Sequence, residues 1–395
     1  MRDKQQDLFS APRFDPLLAL LDDQGRPAVI VVGCGRNKRT ISTTARQLYT
    51  SDRFEVACAV AENLGAPLFV LSGLHGLLSS TDTVSPYDFD LATSDEAHRK
   101  VWREKVAEAV RQKLKGKQVC LLASHSYTEA FLGALRSQGD NPQTVAPLQS
   151  VDDAFHMDWH LQALAVAKRY RDLKRLYERI AQARDSGRTF LLGDLNNQEL
   201  PGRGVYIFVD LNERNFCGAP GRVVRIGTHA ISQGAKSTMK QRLRHHLGLA
   251  DGTGNHRGSI FRLHVGRALL ERDGMRGQLL SWGDGQHAPF HVRALEKEHE
   301  IRVSNYLCRL EVYTMKIDDT PNRNSLRAAV ERQLIALCSE RLQPIDHPSE
   351  KWLGNYSPMQ SIVKSGLWNL RDVGRIYEPA ALGSVDDICS RGIDE

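Results

Sequence analysis

An α/β domain with a small parallel sheet and flanking helices, followed by an α+β domain, is the fold class this sequence predicts. Three observations carry that prediction. Residues 28–123 hold three short runs apolar on both faces, separated by stretches with apolar residues at three-to-four spacing. After residue 200 the pattern changes to two strand-like runs around a polar loop, the mark of an antiparallel hairpin. The chain has 395 residues, more than one core ordinarily organises at roughly 100–200 residues per domain.

Taken in order, Ala28 to Gly33 reads as the first strand, and Phe54, Ala57, Val60, Ala61 and Leu64 as one face of a helix. A second strand, Pro67 to Ser72, a helix around Asp95 to Leu114 and a third strand, Val119 to Ala123, complete the α/β alternation. Met157 to Ala183 is helical and ends at Asp185-Ser186-Gly187. Turn chemistry at Asn196-Asn197 and Pro201-Gly202 marks a domain boundary. Beyond it come strands Gly204 to Asp210 and Arg222 to Thr228, and then a helix, Ser237 to Leu247, that begins at a Ser or Thr cap. A strand at Ser259 to Val265, a helix at Glu296 to Leu307, a strand at Leu310 to Ile317 and a helix at Asn324 to Ser339 follow. The expected division is an extension at 1–26, an α/β domain at 27–165, a helical linker at 166–200, an α+β domain at 201–383 and a tail at 384–395.

Composition narrows the function. With 41% hydrophobic and 25% charged residues, the chain is that of a soluble globular protein. No apolar run reaches the roughly 20 residues that span a bilayer, and charges sit where a signal peptide would be apolar, so the cytoplasm is the expected compartment. Seven scattered cysteines without a C-x-x-C pair predict neither a disulfide framework nor a zinc site. The net charge is +6, and nine lysines and arginines fall between Arg222 and Arg267, interleaved with His245, His246, His256 and His264. That concentration predicts phosphate contact and a nucleic-acid partner. Lys38 stands where a dinucleotide-binding run after Gly33 and Gly35 would need its third glycine, and no G-K-[ST] occurs, so ATP-driven action is disfavoured.

Gly204-Val205-Tyr206, Arg225-Ile226-Gly227, an Arg-rich helix from Met239 to His246, a helix bearing Glu331, and Asn369 stand in this order. The ordered set resembles the GIY-YIG nuclease superfamily. The resemblance implies Tyr206 activating or positioning the nucleophile, Arg242 clamping the scissile phosphate, and Glu331 holding a divalent metal, Mg²⁺ or Mn²⁺. A lone carboxylate suits Mg²⁺, which keeps most of its waters. Each residue also has a plainer reading, Tyr206 as a core strand aromatic, Arg242 as a solvated helix cation and Glu331 as a surface carboxylate. Arg225 departs from the pattern, which offers a second tyrosine there; it supplies a phosphate-binding cation instead. His246, four residues after Arg242, shares its helix face and is a candidate for proton handling. Asn369 either orients substrate or makes a turn.

Farther upstream, Gly33-Cys34-Gly35 with Lys38, Ala45 to Tyr49, Leu71 to Leu78 and Pro86-Tyr87-Asp88 resemble YaaA-like bacterial domains, some linked to DNA-glycosylase-like chemistry. Cys34, Lys38, Tyr49, Ser72, His75 and Tyr87 are candidate substrate-binding residues at the carboxyl ends of strands. Tyr49, Tyr87 and Phe54 offer stacking surfaces for a flipped base, and Asp88 is a candidate catalytic carboxylate for an oxocarbenium-like sugar or a water. The bland readings are a turn or cap for Asp88, a buried filler for Cys34 and a satisfied loop histidine for His75. The pairing predicts a DNA-processing enzyme that recognises or excises a modified base and cuts the strand, as in restriction of modified phage DNA. Two alternatives stay open: a non-catalytic modified-base reader that delivers the nuclease, and a regulator with a dead nuclease fold.

Overall fold

The structure, a computed structural model, describes residues 19–22, 25–136, 142–145, 153–322, 325–342 and 344–378. The expected tail at 384–395 and most of the extension at 1–26 lie outside them. The chain divides into two compact units, residues 1–171 and 172–395.

In the first unit, strands β1 (Val29–Gly33), β2 (Leu68–Ser72), β3 (Gly76–Ser79), β4 (Gln118–Leu122) and β5 (Gln143–Val145) form one sheet in the order β3-β2-β1-β4-β5. β2, β1, β4 and β5 run parallel, whereas β3 turns back antiparallel on β2 as an edge strand that the sequence pattern does not announce. Strand residues alternate between faces. Val29 and Val31 share a core with Trp102 and Val106 of helix α2 (Glu96–Lys113) and Phe131 of helix α3 (His125–Arg136). Ile30 and Val32 point the other way and are buried on the face opposite, and helix α1 (Asp52–Leu64) packs on β1. α1 starts with Asp52 and Glu55 in its first turn, where carboxylates favour the helix dipole, and stops at Gly65, whose φ of 64° is left-handed. α2 is capped by the Asp95 side chain, which accepts from the His98 backbone N–H.

A 33-residue helix, α4 (Asp153–Asp185), continues well past residue 166. After it, Thr189–Leu191 forms strand β6, so residues assigned from sequence to a linker belong to the sheet of the second unit. That sheet is antiparallel throughout, with β7 (Gly204–Arg214), β8 (Pro220–Thr228) and β9 (Glu311–Lys316) in the order β8-β7-β9-β6. Helices α5 (Met239–Leu247), α6 (Ile260–Arg272), α7 (Phe290–Leu307), α8 (Leu326–Cys338) and α9 (Gln360–Ser365) accompany it. Phe208, Val224, Val312, Leu243, Phe261, Val303 and Trp368 meet in one core.

α6 corrects the expected strand at Ser259 to Val265. Phe261, Leu263 and Val265 alternate in sequence, but Phe261, Val265, Ala268 and Leu269 make a helical stripe in that core. Ser259 caps the helix by accepting from the Arg262 N–H. Arg262 and His264 are buried as well, which erases the polar face by which a helix is recognised. No helix among the described residues is long and apolar enough to cross a membrane.

Candidate functional site

Tyr206 lies in β7 directly opposite Gly227 of β8. A Cβ on Gly227 would sit 2.5 Å from the Tyr206 hydroxyl and 2.6 Å from two of its ring carbons, so only glycine leaves room for the phenol across the strand pair. Gly204 is fixed in the same way, since its Cβ would fall 2.0 Å from the Met315 carbonyl. The two glycines thus let β7 close on both neighbours and lay the tyrosine ring over β8.

The phenol joins two residues of α5. Tyr206 Oη is 3.1 Å from His246 Nε2, and the Arg242 charge lies near enough to the same hydroxyl to favour its ionised form. α5 is aimed by a capping box: Thr238 Oγ1 accepts from the Gln241 N–H at 3.2 Å, and Gln241 Oε1 accepts from the Thr238 N–H at 2.9 Å. Arg242 and His246 are four residues apart and share a face. His246 is fully buried, with Nδ1 2.8 Å from Ser259 Oγ. Burial, reinforced by Arg225 and Arg242, pushes its pKa well below the ordinary histidine range, so it is neutral. Burial pushes the Tyr206 phenol up, and Arg225 and then Arg242 pull it back.

Arg225 is buried too, with Nη1 donating to the Trp368 carbonyl at 2.9 Å and its guanidinium 4.7 Å from the Phe261 ring centre. Glu331, on α8, accepts from the Thr228 N–H at 3.2 Å. Burial raises its pKa, Arg225 and that hydrogen bond oppose the rise, and the Asp372 charge adds to it. Among the described residues Glu331 has no ion pair, so a largely buried carboxylate stands without a countercharge in contact. Tyr206, Arg225, Arg242, His246 and Glu331 therefore converge. Asn369 does something narrower: its Oδ1 accepts from the Ile226 N–H at 3.1 Å and its Nδ2 donates to the Ile226 carbonyl at 2.8 Å. With both amide atoms on the backbone between Arg225 and Gly227, it pins β8.

The first unit has its own cluster. Ser72 Oγ shares hydrogen bonds of 2.8 Å with Tyr87 and 3.0 Å with the His75 N–H, and Tyr87 shares one of 2.8 Å with the fully buried Tyr49. Lys38 Nζ lies 4.4 Å from the Tyr87 ring centre, and His75 meets that ring edge-on at 5.2 Å. Burial pushes the Tyr49 phenol up to about 12. Cys34 Sγ donates to Tyr127 Oη at 3.4 Å. Cys34 follows β1 and Tyr127 follows β4, the neighbouring strands at which the sheet order reverses, which is where open α/β sheets bind ligands. Asp88 is exposed and makes none of these contacts. The sequence groups it with Tyr87, but the next residue along an extended chain points away.

Residues 167–393 match the family model described as the GIY-YIG domain. The chain belongs to the GIY-YIG family. It is therefore a nuclease, an endonuclease of the hydrolase class acting on nucleic acid, and GIY-YIG nucleases generally depend on a divalent metal. Residues 29–162 match a family of unknown function (DUF6884), a description that names neither YaaA-like nor glycosylase chemistry. No curated protein and no solved structure matches the chain.

Within the GIY-YIG unit only part of the basic run from Arg222 to Arg267 faces solvent. Arg222, Arg225, Arg262, His246, His256 and His264 are buried, and Arg257 pairs with Glu296 at 2.6 and 2.9 Å. Lys236, Arg244 and His245 keep exposed positions. The sequence also misses His229, which is buried and whose Nε2 lies 3.0 Å from the Gly202 carbonyl. Its place two residues after Gly227 is the one signal that points to it. Ser259 and Asp372 carry no such signal; each reaches the site from a distant segment.

Proposed function

We propose that the second unit cuts nucleic-acid strands, double-stranded DNA in the first instance, with Mg²⁺ or Mn²⁺ held by Glu331. The observation that carries this reading is the Tyr206 hydroxyl bonded to His246 with the Arg242 charge nearby, beside a largely buried carboxylate that has no ion pair among the described residues. The residues present fit such a metal. Among the described residues no group of three or more His, Cys, Asp or Glu side chains could hold an ion. One carboxylate with an unpaired oxygen suits a cation that keeps its waters and completes its shell on phosphate. When bound, the ion would offset charge on the phosphate and on the leaving oxygen.

The chain's own residues then divide the work. Arg242, partly exposed, reaches a phosphate while its charge acts on the phenol. With hydrogen on His246 Nδ1, donated to Ser259 Oγ, Nε2 accepts the Tyr206 hydroxyl hydrogen, and a phenol lone pair is left to align water for in-line attack. Arg225 stands where a second tyrosine is expected. Its buried charge favours the ionised form of Glu331 and lowers the cost of negative charge on Tyr206.

For the first unit we propose reading rather than excision. The Ser72, Tyr87 and Tyr49 hydroxyls satisfy one another, and exposed Asp88 has no place in that chain. A reader of modified bases joined to a GIY-YIG nuclease would serve restriction of modified phage DNA, a role supported by the pairing of the two units. The test is incubation with matched DNA and RNA substrates, including phage genomes of different base chemistries, with and without Mg²⁺ or Mn²⁺, scoring strand breaks and released bases. Divalent-dependent breaks lost in Arg242→Ala, with no free base, support the proposal. Free base would restore excision, and an absence of breaks on every substrate would sink the nuclease assignment.

A further inference from the structure

A cavity of about 560 Å³ opens beside α5, within the usual range of small-molecule sites. Three cations and a histidine line it: Arg244 and His245 from α5, and Arg293 and Lys297 from α7. Its one carboxylate, Glu300, is already engaged. His256 donates to Glu300 Oε1 from its backbone N–H at 2.7 Å and lies within hydrogen-bond distance through Nδ1 at 2.9 Å. Arg262 donates to Oε2 at 3.0 and 2.6 Å. Burial works against ionised Glu300, yet these partners hold its pKa below the ordinary glutamate range. Asp251 is outside the lining and attracts Lys297. Among the lining residues three cations therefore stand against one carboxylate that is already held by His256 and Arg262.

Its wall is built for close approach. Behind Gly254 lies the buried Arg262 guanidinium, 2.2 Å from where a Cβ would be, so the backbone itself forms the surface. Arg262 also donates to the carbonyls of His246 at 3.0 Å and Leu247 at 2.9 Å, tying the pocket floor to the end of the helix that carries the catalytic candidates. Leu249, 66% exposed, gives the lining an apolar surface.

We infer that this pocket seats one nucleotide of the substrate strand beyond the cut, its phosphate on Arg244, Arg293 and Lys297 and its sugar or base against Leu249 and the glycine wall. Arg242 and Arg244 differ by about 3 Å of helix rise on a helix about 10 Å across. With one phosphate per roughly 3.4 Å of duplex axis on each strand, a nucleotide a few steps from the scissile bond reaches it. The inference rests on the nuclease reading for its substrate, but its test does not need cleavage.

That test is binding of a fluorescein-labelled 16-base-pair DNA to the full chain by anisotropy, in EDTA, across a salt series. Arg293→Ala/Lys297→Ala removes two exposed side chains and leaves the fold intact. We expect at least a tenfold rise in Kd and a salt slope flatter by roughly 0.9 for each phosphate that the variant no longer neutralises. The control, Arg188→Ala/Lys351→Ala, removes equal charge elsewhere and changes Kd less than twofold. Unchanged binding in the pocket variant overturns the inference, as does an equal weakening in the control, which would mean bulk attraction alone. Tight binding of AMP by the wild type, abolished in the pocket variant while duplex binding is unchanged, would make the ligand a free nucleotide and also overturn it.

Discussion

The hydroxyl of Tyr206 and the α-carbon of Gly227 are packed so closely that a single methyl group on the glycine would lie 2.5 Å from the oxygen. Gly227→Ala should therefore push the phenol off His246 without replacing any ionisable group. We expect a destabilisation of about 1–3 kcal/mol from overpacking. Cleavage should fall by about 10²–10⁴-fold, the range for loss of a positioned proton-handling group, and Tyr206→Phe should match that fall at a smaller stability cost. Thermal unfolding and single-turnover cleavage, measured side by side, check both.

Asn369 offers a second test because, among the described residues, its two amide atoms bond only the Ile226 backbone. Asn369→Ala leaves a buried N–H and C=O unpaired and should cost about 1–3 kcal/mol. The Tm should drop while the KM for duplex stays within twofold. An unchanged Tm with a raised KM would instead assign Asn369 to substrate.

Asp346 gives the protein a pH signature. It accepts from the Tyr177 hydroxyl and from the Phe216 N–H, and burial pushes its pKa from 3.8 up to about 7 even though Arg222 pulls it down. The folded state then binds more protons than the unfolded chain between those two values. Stability from this group is fully present below about pH 4 and is lost as pH rises towards 7. Denaturant unfolding at several pH values should show that decline, and Asp346→Asn should flatten it.

Much of this architecture was legible in the chain because it is written locally. The β7–β8 hairpin shows as two strand-like runs around a polar loop, and α5 starts at a Ser or Thr cap, each a short-range signal. The pieces that were not legible depend on distant partners. Arg262 looks like a solvated cation until Glu300, 38 residues on, is folded against it, and Arg257 until Glu296 is. β6 is three residues long, too short for a pattern, and is a strand because β9 supplies its hydrogen bonds. In the site, the order of Tyr206, Arg225, Arg242, His246 and Glu331 was readable. That Asn369 pins β8 and that Asp88 stands apart from the tyrosine cluster was not, since neither follows from neighbours in sequence.

Glu331 is the carboxylate proposed to hold the metal, and Glu331→Gln is the most direct probe of it. Glutamine keeps an oxygen for the Thr228 N–H while removing the negative charge. The measurement is nicking of supercoiled plasmid by wild type and variant over a Mg²⁺ and Mn²⁺ titration, with Tm recorded for both. The wild type should nick only with the divalent ion, and Glu331→Gln should lose at least about 10³-fold in rate with Tm unchanged. A variant that nicks as fast as the wild type, or a wild type that nicks equally well in EDTA, would contradict that role.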